Sequence, residues 1–249
     1  MTILFTPTHK NIMSNEVEKP QYFGRDLEAM SFAKNYHDWI IDEFSPYLGN
    51  IVAEVGAGTG SFSELLVKRA DRLIAFEPSE NMYPELSRVF QGNPRVETVN
   101  NFFGKECARF ENTLDSAVYV NVMEHIEHDE EEFTYIYKAL KPGGHALIFV
   151  PALPFLYSNL DTSLGHFRRY VKPGLTGIAE KAGLRVVKAR YFDIMGILPW
   201  YFTFTLLGKQ ISGGKVAAYD KYVVPVMRCL EGFIQPPIGK NVLMIARKD

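Results

Sequence analysis

The stretch VAEVGAGTG, residues 52–60, constrains this chain more than any other. Ile51 to Val55 is an apolar run of strand length, and Ser61 to Ala70 (SFSELLVKRA) has the spacing of an amphipathic helix. Between them Gly56, Gly58 and Gly60 alternate with small residues, so the backbone can turn tightly and approach a ligand with no Cβ in the way. Strand, glycine loop and helix form the first half of a βαβ unit, the usual nucleotide-binding corner of a parallel sheet. The spacing is G-x-G-x-G, with Ser61 where the dinucleotide fingerprint G-x-G-x-x-G has its third glycine. Glu54, inside the strand, would repel a pyrophosphate but suits a cationic amino group, held directly or through water.

A second strand, Arg72 to Phe76, ends on Glu77, which stands 21 positions after Gly56. That is close to the roughly 20 expected of an acid that binds both hydroxyls of an adenosine ribose. With EVGAGTG and FEPS, the chain resembles the class I S-adenosylmethionine-dependent methyltransferases. The resemblance continues through LDSAVYVNVMEHI (114–126) and LKPGGHALIFVPA (140–152), and so covers the sheet from about residue 50 to 190. It implies S-adenosylmethionine as cofactor, with Glu54, Gly56, Ala57 and Gly58 along its methionine part and Glu77 on the ribose diol. Pro78 and Ser79 would flank the adenine, and Asn101 and Phe102 would meet its edge, where many members carry an aspartate instead. Asn121 would reach the methionyl arm or the transferring methyl, or else cap the next turn as a strand-end residue. Tyr36 would close over the methionine carboxylate, or else pack in the core.

The rest of the chain fits an α/β, Rossmann-like, doubly wound and mostly parallel seven-stranded sheet, its last strand antiparallel and helices on both faces. Further strands are expected at Arg95–Val99, Ser116–Val120, Ala146–Pro151, Leu184–Tyr191 and Asn241–Ala246, with helices near 80–90, 129–140 and 173–182. KPGG at 141–144 and KAGL at 181–184 supply helix stops. Residues 1–20 are expected as a mobile tail and 21–249 as one domain. Within it lie a leading helix (21–47), a cofactor-binding core (48–192), a helical insert (193–240) and a last strand (241–249). The leading helix places Leu27, Met30, Ala33, Tyr36 or His37, Ile40 and Phe44 at helical steps.

Composition narrows the function classes. A net charge of −2 over 249 residues and no Lys/Arg-rich run argue against nucleic-acid binding. Cys107 and Cys229 are too few and too far apart for a disulfide framework, so a reducing cytoplasm is the expected location. The longest uncharged stretch, Ile194 to Gly208, contains Pro199 and falls short of the roughly 20 apolar residues of a spanning helix.

Two segments carry further chemistry. In NVMEHIEHDEEEF, Glu124, His125 and His128 are residue types that ligate metals. Some relatives bind a divalent ion through E-x-x-E-H, but here Asn121 takes the first position, and no metal is expected: an acidic first turn explains HDEEE. In LYSNLDTSLGHFRRY (156–170), His166 is the candidate base, because its loop should face the acceptor and imidazole titrates near neutrality. The alternative is that Arg168 or Arg169 pairs with an acidic helix and His166 anchors the loop.

The expected activity is methyl transfer to an oxygen or nitrogen of a small, apolar or amphiphilic acceptor. A dinucleotide-dependent oxidoreductase is the alternative enzyme, against which stand the G-x-G-x-G spacing and Glu54. A non-catalytic partner subunit would need a broken cofactor loop, and this loop is intact. Trp200, Tyr201, Phe202, Phe204, Leu206 and Leu207 are too many for one buried helix face. They are expected to cover the acceptor pocket in preference to forming a homodimer contact, and the sparse basic residues Lys209 and Lys215 make a membrane interface the weakest alternative.

Overall fold

The inner strands of the sheet are apolar on both faces. In the computed structural model, which describes residues 33–208 and 213–249, β1 (Ile51–Val55) and β2 (Arg72–Phe76) are buried except at their first residues. Side chains alternate along β1: Ala53 and Val55 enter one core, and Val52 enters the core on the opposite face. β3 (Val96–Val99), β4 (Leu114–Val120), β5 (Leu140–Pro151), β6 (Arg185–Phe192) and β7 (Asn241–Arg247) complete seven strands in the order β3-β2-β1-β4-β5-β7-β6. β7 lies antiparallel between β5 and β6, and the other pairs are parallel. The strand order reverses between β1 and β4, which makes their carboxyl ends the place where an open α/β sheet binds ligands.

Two elements differ from expectation. The segment after the glycine loop is helical only over Ser63–Leu66, although Phe62, Leu66, Val67 and Ala70 still turn inward. KPGG does end the helix Asp129–Ala139, but its own backbone is drawn into β5, where Leu140 pairs with Leu114 across a register shift.

The expected tail, 1–20, and the leading helix as far as residue 32 lie outside the described residues. The rest of that helix, Lys34–Phe44, packs Trp39, Ile40, Ile41 and Phe44 inward. Its opening N–H groups are satisfied from far along the chain. Asp220 Oδ2 accepts from Asn35 N–H at 3.0 Å, and Asp220 Oδ1 accepts from Tyr36 N–H at 2.8 Å. A carboxylate there serves as cap and complements the helix dipole.

Asp220 belongs to the insert, which resolves into the short helix Ile197–Trp200, a π-helical turn Tyr201–Leu206 and the helices Gly213–Tyr222 and Val224–Phe233. The last two pack on the leading helix. A buried polar junction fastens the start of the insert. Asp193 accepts from Tyr36 Oη at 3.2 Å and from Gly196 N–H at 3.0 Å, accepts from the Tyr219 hydroxyl, and pairs with Lys240 at 3.0 Å.

Candidate active site

A cleft of about 670 Å³ opens at the carboxyl ends of β1, β2 and β4, within the range of roughly 300–1,000 Å³ usual for small-molecule sites. The glycine loop forms its floor. Gly56 has φ +72° and sits so close to the segment after β4 that a Cβ would lie 2.5 Å from Val122 Cγ2. Only glycine satisfies both conditions. Gly58 follows at φ +57°, and its N–H donates to Glu77 Oε2 at 2.8 Å. Ser79 N–H donates to Glu77 Oε1 at 2.8 Å, so both carboxylate oxygens are held by backbone at the end of β2. Each oxygen keeps acceptor capacity for a diol.

Glu54 is buried at the cleft and accepts a hydrogen bond from the Ser63 hydroxyl. Burial pushes its carboxyl up to about 8; the Ser63 bond opposes the shift and the nearby Glu77 charge adds to it. The group therefore holds its proton at neutral pH until a cation approaches.

Gly56, Ala57, Gly58, Glu77, Pro78, Ser79, Asn101, Phe102 and Asn121 all line the same cleft. Asn101 has its side-chain amide committed to Glu106 at 2.7 Å, and its Oδ1 accepts from Phe102 N–H at 3.0 Å. Asn121 adopts φ +54°, a conformation that asparagine tolerates better than most residues, and its N–H donates to the Phe149 carbonyl at 2.8 Å. Asn121 thus ends β4 and faces the cleft at once.

Tyr36 does not line the cleft. Its ring stands edge-on to Trp39, Phe149 and Phe192, and its hydroxyl reaches Asp193 and Asn241, so it belongs to the core. The neighbouring His37 lines the cleft instead, against the Phe62 ring. One step along a helix turns a side chain by about 100°, and the apolar spacing alone left these two positions undecided.

Nor does the insert line the cleft: no described residue of 193–240 is among its walls. Trp200 Nε1–H and Thr205 Oγ1 donate to the Leu156 carbonyl at 3.2 and 3.1 Å, anchoring this part of the insert beside the segment after β5. Leu198, Phe202, Leu206 and Leu207 remain exposed. The expected cover over the acceptor is absent from these walls because the insert's polar anchors hold it to the leading helix and to Leu156.

The GHFRRY run divides its work. Gly165 and the exposed Phe167 line the cleft, whereas His166 does not. His166 Nδ1 lies 3.0 Å from Asp161 Oδ1, and Arg169 Nε donates to the same oxygen at 2.8 Å. Burial works against ionisation of Asp161, but the His166 and Arg169 contacts outweigh it and hold the carboxyl at about 2. Arg168 pairs with Asp129 at 2.7 Å, in the acidic first turn of the helix Asp129–Ala139. That part of the run anchors the loop.

Sequence reasoning set Glu124 and His125 beside His128; the structure brings His166 to them instead. The His125 and His166 rings stand perpendicular with centroids 4.6 Å apart, and His125 lines the cleft. Burial, with the His166 ring close by, lowers His125 to about 4, so its imidazole is neutral at pH 7. No local pattern signals this meeting, because the helix Asp129–Ala139 and β5 separate the two histidines along the chain.

Comparison with known proteins agrees with the geometry. The methyltransferase domain family matches residues 32–189. A ribosomal RNA small subunit methyltransferase A from Geobacter metallireducens is 43% identical over 49 residues, 20% of this chain and 18% of that protein. An uncharacterized methyltransferase of Mycobacterium bovis is 22% identical over 152 residues, 61% of this chain and 59% of its own. The chain thus spans about a fifth to three-fifths of the length of these curated relatives. Among solved structures, a SAM-dependent methyltransferase from Archaeoglobus fulgidus superposes with TM-score 0.60 at 17% identity, covering 90% of this chain and 99% of that one. Phosphoethanolamine N-methyltransferase 2 of Haemonchus contortus, in complex with S-adenosyl-L-methionine, gives TM-score 0.60 at 16% identity over 90% of this chain and 57% of its own.

Proposed function

This chain belongs to the class I S-adenosylmethionine-dependent methyltransferases, and on that premise we propose that it methylates an oxygen or nitrogen of a small, apolar or amphiphilic acceptor. The observation that carries the reading is the Glu77 carboxylate, fixed by the backbone of Gly58 and Ser79 beside a loop in which Gly56 leaves no room for a Cβ. When bound, the cofactor supplies an electrophilic methyl group on a sulfonium. Glu77 would hold the ribose hydroxyls, Glu54 would ionise to meet the amino group, and Asn121 would contact the methionyl arm. Pro78, Ser79, Asn101 and Phe102 would border the adenine. Methyl transfer then needs chiefly alignment at near-contact distance, with the acceptor lone pair free.

Ile126 and Phe167 add apolar surface to the walls of the same cleft, which His125 also lines. This supports an acceptor with an apolar body and one polar reacting atom. The cluster of His125 and His166 is where the acceptor proton would be managed, with Asp161 positioning the His166 ring. The exposed apolar side chains of the insert support self-association as their role, which light scattering of the purified protein reads as a dimer mass.

Ligand-induced melting shifts test the reading. S-Adenosylhomocysteine is expected to raise the melting temperature, since it binds the native state alone, while NAD leaves it unchanged. No response to S-adenosylhomocysteine at millimolar concentration would contradict the proposal.

A further inference from the structure

The walls of the cleft are one-sided in charge. Five glutamates line it, Glu54, Glu77, Glu127, Glu131 and Glu132, and among the described residues no lysine or arginine does. Glu54 and Glu77 have a use in the cofactor site. Glu131 and Glu132 lie in the first turn of the helix Asp129–Ala139, and Glu127 lies just before it. The helix dipole accounts for an acidic first turn. It does not account for the cations of neighbouring segments being kept off the walls. Arg168 is paired with Asp129 at 2.7 Å and Arg169 with Asp161 at 2.8 Å, and Lys105 stands 5.7 Å from the centre of the Phe102 ring without lining the cleft.

Topology assigns Glu127 to the acceptor. Arg168 donates to the Glu127 carbonyl at 2.7 Å, which sets Glu127 beside Phe167 in the segment after β5. In the strand order, β5 lies on the far side of β1 and β4 from β2 and β3, after which come the residues read as bordering the adenine. Two further features suit a cation. Glu132 is only 9% exposed, and its Oε1 accepts from the Tyr119 hydroxyl at 2.7 Å while no second donor among the described residues reaches the carboxylate. Burial pushes this carboxyl up, so it gains by ionising against a positive ligand. Phe102, Tyr135 and Phe167 add aromatic rings to the same walls, and ring faces attract cations.

We infer that the acceptor is an amine, bound as its ammonium ion, and that Glu127 and Glu131 select it over alcohols and over carboxylates or phosphates. A cleft lined by one sign of charge focuses its field and concentrates ligands of the opposite sign. The identity of the acceptor rests on the methyl-transfer reading; the charge preference of the cleft does not. The bound ammonium loses one proton to water, which frees the nitrogen lone pair. Nitrogen then forms the bond to the methyl carbon, the carbon–sulfur bond breaks with its electron pair left on sulfur, and the positive charge passes from sulfur to nitrogen.

The test is calorimetric titration with three probes of one shape, 2-phenylethylammonium, 2-phenylethanol and 3-phenylpropanoate, at low salt, with and without saturating S-adenosylhomocysteine. The ammonium ion is expected to bind at least tenfold more tightly than either of the others. The double variant Glu127→Gln/Glu131→Gln, both exposed positions, is expected to lose most of that preference. Glu130→Gln, which removes an exposed charge of the same helix turn outside the cleft walls, is expected to keep it. No binding of the ammonium ion, equal or tighter binding of the alcohol or the carboxylate, or an undiminished preference in the double variant overturns the inference. Any of these in a protein whose melting temperature responds to S-adenosylhomocysteine leaves the methyl-transfer reading standing. An ammonium preference carried by Glu127 and Glu131 in a protein with no such response supports the selectivity of the cleft and overturns that reading.

Discussion

The Glu77 carboxylate accepts a hydrogen bond from the Gly58 N–H at 2.8 Å, which ties the end of β2 to the loop at the end of β1. The bond depends on the left-handed backbone of Gly58, φ +57°. A β-branched residue there meets a steric penalty of at least about 1–2 kcal/mol and projects a side chain at the cleft. Gly58→Val is expected to lower the melting temperature by a few degrees and to weaken S-adenosylhomocysteine at least tenfold. Calorimetry showing wild-type affinity would contradict this placement of the loop.

Glu54 gives a pH dependence of definite sign. Its folded carboxyl titrates near 8 and its ordinary value is 4.5, so between these the unfolded chain has lost a proton that the folded chain keeps. Stability contributed by this group is present below about pH 4.5 and falls as pH rises toward 8. Urea unfolding across that window is expected to show a shallower decline in Glu54→Gln than in wild type. Ionisation of Glu54 against the cofactor's amino group also predicts proton release on binding at pH 7. Binding enthalpies that do not vary with the buffer's ionisation enthalpy would contradict it.

Tyr36 and His37 separate core from cleft at adjacent positions. Tyr36→Phe removes a buried hydroxyl from the Asp193 junction and is expected to destabilise by about 1 kcal/mol while leaving S-adenosylhomocysteine affinity unchanged. His37→Ala, which strips a side chain from the cleft wall, is expected to weaken the ligand severalfold with a smaller effect on melting. The reverse pattern would return Tyr36 to the cofactor site.

Local pattern reveals what local physics decides. β1 and β2 are legible to the residue because a doubly covered strand is a short, mainly apolar run bounded by glycine or charge, with Glu54 the one ionisable residue inside β1. Glu77 is legible because the βαβ unit fixes its distance from the loop. What escapes the sequence is set by partners far along the chain. Asp220 caps the leading helix from the insert, Asp161 claims His166 and Arg169 at once, and His125 meets a histidine carried in by another strand. The insert reads as a cover for the acceptor because it is rich in aromatics, but its docking depends on the Leu156 carbonyl and on Asp193, which hydropathy does not register.

The most direct test of the account is calorimetry of S-adenosylhomocysteine against wild type and Glu77→Ala. Loss of hydrogen bonds between a charged carboxylate and ligand hydroxyls is worth about 1.5–3 kcal/mol each. The account predicts one-to-one binding by the wild type, weakened at least tenfold in Glu77→Ala, with a circular dichroism spectrum that stays native. Equal affinity in a folded Glu77→Ala variant would contradict the assignment of Glu77, and with it the placement of the cofactor in this cleft.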